Sequence, residues 1–370
     1  MSLLRLTVAA FALSGIGTFL ITPATAKLAR RLGLMDRPDA SGRKSHVIPT
    51  PYLGGVAIIA GLAVGAILVA IVVRPATETI GSLAVGLLVA LGLALVGFAD
   101  DVRPLPRSLR LVAQILAAVA AWALGFSIEA TGWPVGNFLM TLVWIVGITN
   151  AFNLLDNMDG LSAGMAGVSA LSFALIAWAQ DLFIVTIVSA SIAGAALGFL
   201  GHNRHPAKIF MGDSGSLFLG YVLALIGIEL KFAPYLFETT FLVPVVVLGV
   251  PIFDTTLVVL SRLRHRRPVF LGGRDHVSHR LVRLGLPVPA AVALLYWTGL
   301  CLGWLGFVIS RSTVDVGWML LAFVVAVGVF LGALLWRVPV YAEEPGRRPL
   351  PADAVDPDEI VKGLREASSS

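Results

Sequence analysis

Long apolar stretches constrain this chain more than any other feature of its sequence. A helical membrane crossing needs about 20 mostly apolar residues, because only a helix satisfies its own backbone polar groups in hydrocarbon. Eleven stretches meet that requirement: residues 3–24, 53–73, 80–98, 109–127, 135–152, 162–180, 183–201, 214–230, 239–260, 289–310 and 316–337. The sequence therefore predicts an all-α fold, a polytopic membrane helix bundle with about 11 transmembrane helices.

The composition excludes several other classes of protein. The 370 residues are 57% hydrophobic and 13% charged, whereas about a quarter of the residues of a soluble domain are charged. A net charge of +5 is too small in so apolar a chain to indicate a nucleic-acid partner. The single cysteine, Cys301, excludes an internal disulfide framework and a cysteine-rich metal site.

The basic residues predict the orientation of the bundle. If the N-terminus lies outside, 23 of the 27 lysines and arginines fall on the cytoplasmic side, in alternate loops and the C-terminal segment. The first stretch could also be a cleaved signal peptide, but the basic flank of Lys27, Arg30 and Arg31 favours a retained helix. We expect a membrane domain over 1–337 and a polar, disordered cytoplasmic tail over 338–370.

Acidic and amide side chains gather at the predicted cytoplasmic ends of three spans. They are Asp100, Asp101, Asn150, Asn153, Asp156, Asp159 and Asp213. Asp213 with Ser214 could simply cap a helix, and the aspartate pair could form ion pairs with Arg103 or Arg107. Five carboxylates on one face would repel one another without a cation among them. Oxygen ligands without cysteine favour Mg²⁺, with Mn²⁺ as the alternative.

Basic side chains are predicted to face the same compartment. A Gly272-Gly273 loop with two histidines and two arginines suits phosphate oxygens, whereas the run Arg262–Arg267 is typical of a topology signal. Five loops bring these groups to one surface: 25–52, 99–110, 150–161, 202–216 and 261–288. Carboxylates, a divalent ion and cations at a membrane surface predict phosphoryl transfer to a lipid.

Five ordered segments within about residues 33–285 resemble the polyprenyl-phosphate N-acetylhexosamine-1-phosphate transferases, glycosyltransferase family 4. They are Lys44-Ser-His-Val-Ile-Pro-Thr-Pro with Leu53-Gly-Gly, Asp100-Asp101 with Leu105-Pro106, Asn150-x-x-Asn153-x-x-Asp156-x-x-Asp159-Gly160, His205-Pro-Ala-Lys-Ile-Phe-Met-Gly-Asp213-Ser-Gly-Ser, and His276-x-x-His279-Arg280-Leu281. The branch that makes undecaprenyl-diphospho-N-acetylglucosamine for surface polysaccharides is the most similar. The resemblance implies transfer of N-acetylglucosamine-1-phosphate from the UDP-sugar to undecaprenyl phosphate, with release of UMP, at the cytoplasmic face of the bacterial inner membrane.

The resemblance also implies roles for individual residues. Asn153 and Asp213 would hold Mg²⁺, while Asp100 or Asp101 would orient or deprotonate the lipid phosphate and Arg110 would steady it. Other catalytic residues would be Asp156, Asp159, His276 and His279. Further substrate contacts would come from Lys44, His46, Asn150, Asn203, Lys208, Arg274 and Arg280. The implied partners are the UDP-sugar, undecaprenyl phosphate and the bilayer, with a homodimer left open.

The chain departs from the family's pattern at four positions, and other functions remain open. Tyr52 replaces a basic residue, Asn157 a glycine, Arg110 a lysine and Ser278 a histidine. The alternatives are a muramoyl-pentapeptide transferase, a transferase of alcohol phosphates between lipids, and a secondary transporter. A transporter would place its carboxylates near the bilayer midplane, whereas these lie at span ends.

Overall fold

A computed structural model describes residues 2–37, 48–73, 77–230, 241–270 and 272–341. The described helices are α1 (Leu3–Leu32), α2 (Gly54–Val73), α3 (Thr77–Val102), α4 (Arg107–Ala123), α5 (Pro134–Leu155), α6 (Leu161–Ala179), α7 (Phe183–Asn203), α8 (Gly212–Glu229), α9 (Leu242–Val247), α10 (Gly249–Arg264), α11 (Val277–Arg283), α12 (Val288–Ser310) and α13 (Val314–Trp336). Two short strands, β1 (Met35–Asp36) and β2 (Thr50–Pro51), pair antiparallel between α1 and α2. The predicted all-α class is confirmed.

Each predicted span coincides with helix in the described residues, with one correction. The stretch 239–260 forms two helices, α9 and α10, which meet at Leu248. Pro251 lies in the first turn of α10 and has no N–H to donate to the carbonyl of Val247, so a continuous helix would lack that bond. Seven of the described helices are long and apolar enough to cross a membrane. The chain is therefore a multi-pass membrane protein.

The helices run further than the sequence indicates, so the polar loops are shorter. Residues 25–32 of the first predicted loop still belong to α1. The predicted spans 162–180 and 183–201 are indeed separate helices, because α6 ends at Ala179 and α7 begins at Phe183.

Helix α8 is the most enclosed of the long helices described. Every residue from Ser214 to Ile228 is buried, and α2, α3, α5 and α6 all pack against it. Its apolar surface extends all around the helix, as expected for a helix surrounded by protein. The first turn of α8 is therefore held on several sides, and this turn carries Asp213.

Small residues allow the first helix to pack closely on its neighbours. A Cβ atom added to Gly61 of α2 would lie 1.9 Å from Thr18 Oγ1, and one added to Gly194 of α7 would lie 2.0 Å from the carbonyl oxygen of Phe11. Glycine at such contacts lets helix backbones approach one another in a membrane. Helix α1 is thus an integral part of the compact unit formed by Met1–Val338.

Candidate active site

The first polar loop and the start of α8 are joined by backbone hydrogen bonds. Phe210 N–H donates to Pro51 O (2.9 Å), Gly54 N–H to Phe210 O (3.0 Å) and Gly55 N–H to Met211 O (2.9 Å). Tyr52 lies in this junction. Burial raises the pKa of its hydroxyl, and the negative charges of Asp101 and Asp36 raise it further. The junction fixes the start of α2 beside the start of α8.

One arginine lies between two of the predicted site carboxylates. Arg110 Nη1 is 2.7 Å from Asp100 Oδ2 and 2.7 Å from Asp213 Oδ2. Asp100 Oδ1 also accepts the Leu105 N–H at 2.5 Å. The predicted convergence of Asp100 and Asp213 is therefore observed, and a positive charge lies between them. The resemblance assigned Arg110 to the lipid phosphate, but in this structure its Nη1 binds these two carboxylates.

Asp101 caps α8 from the neighbouring helix. Its Oδ1 accepts the Asp213 N–H (2.8 Å), and its Oδ2 accepts the Ser214 N–H (3.2 Å). These N–H groups have no partner within their own helix, and a carboxylate is favourable beside them. The suggestion that Asp213 or Ser214 caps α8 is wrong, because Asp101 does so. Asp101 thereby positions the backbone that carries Asp213.

The last turn of α5 supplies the next two site residues. Asn153 Nδ2 donates to Asp213 Oδ1 (2.9 Å) and to Ser216 Oγ (3.0 Å). Asp156 follows the helix end, and its carboxyl group makes no hydrogen bond with any described side chain or backbone group. Burial raises the pKa of Asp156 to about 8, and the negative charges of Asp213, Asp101 and Asp159 add to the shift. Asp156 is therefore mainly protonated at neutral pH.

Asp159 and Asn203 hold loops together. Asp159 Oδ2 accepts the Ala207 N–H (3.1 Å) and lies 2.8 Å from His205 Nδ1. The buried Asn203 accepts the Gly160 N–H (3.1 Å) and donates to Ile209 O (2.9 Å). Both ends of the Asn203 amide are thus used by the protein, which does not favour the predicted contact of this side chain with the substrate.

Asn150 also has a protein partner that the sequence analysis missed. Its side-chain amide donates to Gln114 Oε1 and to Val146 O (2.8 Å). Gln114 lies on α4 and is buried. The pair joins α4 to α5 and satisfies two amides inside the bundle, so the structure does not support substrate binding by Asn150.

The histidine loop, defined here as residues 275–280, is anchored to α10. Arg262 forms a buried, two-bond ion pair with Asp275, with both N···O distances at 2.7 Å. Arg280 is 1% exposed and donates to the backbone oxygens of Asp275 (2.9 Å) and Leu335 (2.8 Å). The guanidinium of Arg280 is thus enclosed by protein, which does not favour the predicted contact of Arg280 with the substrate.

The two predicted histidines have different surroundings. His276 is 3% exposed, and its Nδ1 lies 2.7 Å from Asp254 Oδ2. His279 is half-buried. Burial lowers the pKa of His279 to about 4. Nearby His276 and Arg274 lower this pKa further, whereas the charges of Asp254 and Asp275 raise it. His279 is therefore neutral at pH 7 and can accept as well as donate a hydrogen bond.

Two of the departures from the family's pattern contact each other. Ser278 Oγ donates to Asn157 Oδ1 at 2.7 Å, and Asn157 Nδ2 donates to Leu154 O at 2.8 Å. This contact joins the histidine loop to the turn that carries Asp156. The sequence alone showed both substitutions but not that they meet.

The remaining predicted contacts lie at the edge of the site or outside the described residues. Lys208 and Arg274 are exposed. Lys44 and His46 fall within residues 38–47, which lie outside the described residues. Their assignments to substrate stay predictions.

The donors near Asp213 suit Mg²⁺ in kind. In the described parts of the chain, no three His, Cys, Asp or Glu side chains form a ready-made metal site. The polar groups are nevertheless oxygens of Asp100, Asp213 and the Asn153 amide, which are the ligands Mg²⁺ prefers. The Arg110 guanidinium lies between Asp100 and Asp213, so the space between these two carboxylates stabilises a positive charge. The donor chemistry thus fits the predicted ion.

Comparison with known proteins agrees with the geometry. Residues 83–231 match the model of glycosyl transferase family 4. A Bacillus subtilis (strain 168) protein, named a probable undecaprenyl-phosphate N-acetylglucosaminyl 1-phosphate transferase, is 32% identical over 339 residues, covering 88% of this chain and 90% of the relative. The chain belongs to glycosyl transferase family 4.

Other relatives of this family 4 protein differ in their named substrates. A decaprenyl-phosphate N-acetylglucosaminephosphotransferase from Mycolicibacterium smegmatis is 33% identical, with 90% of this chain and 89% of the relative covered. A phospho-N-acetylmuramoyl-pentapeptide-transferase from Bacillus subtilis is 33% identical, with 79% and 94% covered. The family 4 assignment confirms the resemblance seen in the sequence.

Proposed function

We propose that this protein transfers N-acetylglucosamine-1-phosphate from UDP-N-acetylglucosamine to undecaprenyl phosphate and releases UMP, which initiates synthesis of a surface polysaccharide. The observation that carries the proposal is the cluster of Asp100, Arg110 and Asp213 at helix ends, with Asn153 and Asp156 beside it. Such a cluster suits a reaction between two phosphate groups. The names of the relatives from Bacillus subtilis and Mycolicibacterium smegmatis support the donor and the acceptor class.

We further propose the arrangement in the membrane. The eleven predicted spans cross the bacterial cytoplasmic membrane with the N-terminus outside, and residues 338–370 form a cytoplasmic tail. The positive-inside count supports this orientation. The contacts of Asp213 with the ends of α3 and α5 support a single cytoplasmic site, because the start of α8 then lies on the same side as those ends.

The reaction is a displacement at phosphorus. An oxygen of undecaprenyl phosphate attacks the β-phosphorus of the UDP-sugar, the bond from that phosphorus to the bridging oxygen breaks, and UMP leaves with the bond's electrons. A phosphate monoester is largely a dianion at neutral pH, because its second pKa is about 6. The nucleophile therefore needs positioning more than deprotonation.

Each residue of the cluster has a part in that positioning. Asp100 is held by Leu105 and Arg110, which suits it to orient the acceptor phosphate. Arg110 uses Nη1 for its two carboxylates, so its other nitrogens are left to offset phosphate charge. Asn153 and Asp213 would hold Mg²⁺, with Mn²⁺ as the alternative, and the ion would neutralise the diphosphate when bound.

The nucleotide and sugar would meet the turn after α5 and the histidine loop. The protonated Asp156 carboxyl group can donate a hydrogen bond to an oxygen of the nucleotide. The neutral ring of His279 can bind a hydroxyl or amide group of the sugar. Lys208 and Arg274 are exposed near these elements and can attract the anionic donor.

The direct test is release of UMP by membranes that contain this protein. We expect release only with UDP-N-acetylglucosamine, undecaprenyl phosphate and Mg²⁺ together, and a loss of at least about 100-fold in Asp100→Asn and Asp213→Asn. Asp181→Asn is the matched control, because Asp181 is exposed in the turn between α6 and α7. Near-normal turnover in both site variants, with the protein folded, would refute the assigned site.

A panel of donors separates this function from its alternatives. UDP-N-acetylmuramoyl-pentapeptide would be preferred if the function follows the second Bacillus subtilis relative. A CDP-alcohol as the only active donor would indicate transfer of an alcohol phosphate. Uptake of a solute into proteoliposomes without UMP release would indicate transport.

A further inference from the structure

A buried carboxylate on α10 lies outside the cluster described above. Asp254 is on α10, within the predicted span 239–260, and its residue is 1% exposed. An acidic side chain at such a position is costly unless it has partners that the protein needs. The sequence signal for Asp254 is a lone aspartate in an otherwise apolar stretch.

Asp254 binds the start of α11 through both of its carboxylate oxygens. Oδ2 lies 2.7 Å from His276 Nδ1, and Oδ1 accepts the Val277 N–H at 2.7 Å. A carboxylate only accepts hydrogen bonds, so the facing ring nitrogen carries the hydrogen. In the neutral ring, Nε2 is then the only remaining acceptor.

The surrounding contacts hold the histidine ring in one place. Arg262 fixes Asp275 on one side of His276, and Asn157 fixes Ser278 on the other. The rings of His276 and His279 lie 5.9 Å apart between their centroids. The histidine loop is thereby fastened to α10 and to the turn beside Asp156.

We infer that Asp254 is a positioning residue for the transfer reaction, which it serves by holding His276 as the tautomer with hydrogen on Nδ1. Nε2 of His276 is then presented as an acceptor to a hydroxyl or amide N–H of the donor sugar. This inference rests on the proposed function for its substrate. The tautomer itself follows from the contacts of Asp254 alone.

Asp254→Asn is the informative substitution. The Val277 N–H is always a donor, so the amide oxygen of the new residue must face it. The amide nitrogen then faces His276 Nδ1, which can accept only if the ring hydrogen moves to Nε2. The variant therefore keeps the shape and both contacts but reverses the tautomer of His276.

The first measurement is ¹⁵N NMR of histidine-labelled protein, with the His276 signal identified by its loss in His276→Ala. We expect an Nδ1–H ring in the wild type and an Nε2–H ring in Asp254→Asn. This readout does not depend on activity, so failure of the proposed function leaves it intact. An Nε2–H ring in the wild type would overturn the inference.

The second measurement is a double-mutant cycle on UMP release. Asp254→Asn and His276→Ala should each lower kcat/KM by about 10-fold or more, and the double variant should match His276→Ala within about 3-fold. The control cycle pairs Asp254→Asn with His265→Ala, a substitution at the exposed end of α10. In this cycle the fold-changes in kcat/KM of the two single variants should multiply in the double variant. Multiplicative losses for Asp254 and His276, with unchanged melting temperatures, would show that Asp254 does not act through this histidine.

Discussion

Replacing Asp156 with asparagine should make the protein more stable at neutral and mildly alkaline pH. The pKa of Asp156 is raised from 3.8 to about 8, chiefly by burial. An acid whose pKa is higher in the folded state loses stability as pH rises from its unfolded pKa to its folded pKa. The slope is about 1.4 kcal/mol per pH unit in that window. The Asp156→Asn variant would have no such loss, because the amide does not ionise.

The assay is thermal unfolding of purified protein in detergent, from pH 6 to pH 7.5. Over this range the wild type should lose ~2 kcal/mol relative to Asp156→Asn, a difference of about 3 °C in melting temperature for a chain of this length. Asp181→Asn controls for the removal of an exposed charge. If the wild-type and Asp156→Asn curves run parallel with pH, the Asp156 carboxyl group does not change its ionisation on folding and the reasoning fails.

Three further substitutions test individual contacts. Asp101→Ala should lower the stability by about 1–2 kcal/mol, because two N–H groups of α8 lose their acceptor; an unchanged melting temperature would argue against the cap. Arg110→Lys should lower kcat/KM by about 10-fold or more with little change in melting temperature, since one ammonium can replace Nη1 between the carboxylates but not the other guanidinium nitrogens that are left to the phosphate; full activity would exclude a role for those nitrogens. Asn203→Ala should cost about 2–3 kcal/mol through two lost backbone contacts, with KM for the UDP-sugar unchanged. A raised KM at unchanged stability would instead support nucleotide contact by Asn203.

The sequence could predict the helices because hydrocarbon leaves few alternatives for an apolar stretch. It could not predict the break at Leu248, because α9 and α10 together have the length of one span. The convergence of Asp100 and Asp213 was also predictable, since both lie at span ends on one side. Their shared partner Arg110 required knowledge of how α3, α4 and α8 pack.

Residue type alone did not reveal which polar groups serve the substrate and which serve the fold. Arg280 and Asn203 have the chemistry to bind a sugar nucleotide, yet their polar atoms are used by backbone groups. Asp254 is the converse case. It stands alone in an apolar stretch, away from the polar segments that indicate a site. A buried polar group needs a partner, but the identity of that partner depends on contacts between residues far apart in sequence.

Helix α13 connects the histidine loop to the surrounding lipid. Only Gly317 and Leu335 of its 23 residues are buried, and most of the others are exposed, so we expect much of the helix surface to face the bilayer. At 1.5 Å per residue it is about 35 Å long, longer than a hydrocarbon core of about 30 Å, and a thinner bilayer would increase its tilt. The carbonyl of Leu335 accepts a hydrogen bond from Arg280, which also binds Asp275. A change in the acyl-chain length of the host membrane that tilts α13 would therefore move the carbonyl to which Arg280, at the end of the histidine loop, is bound.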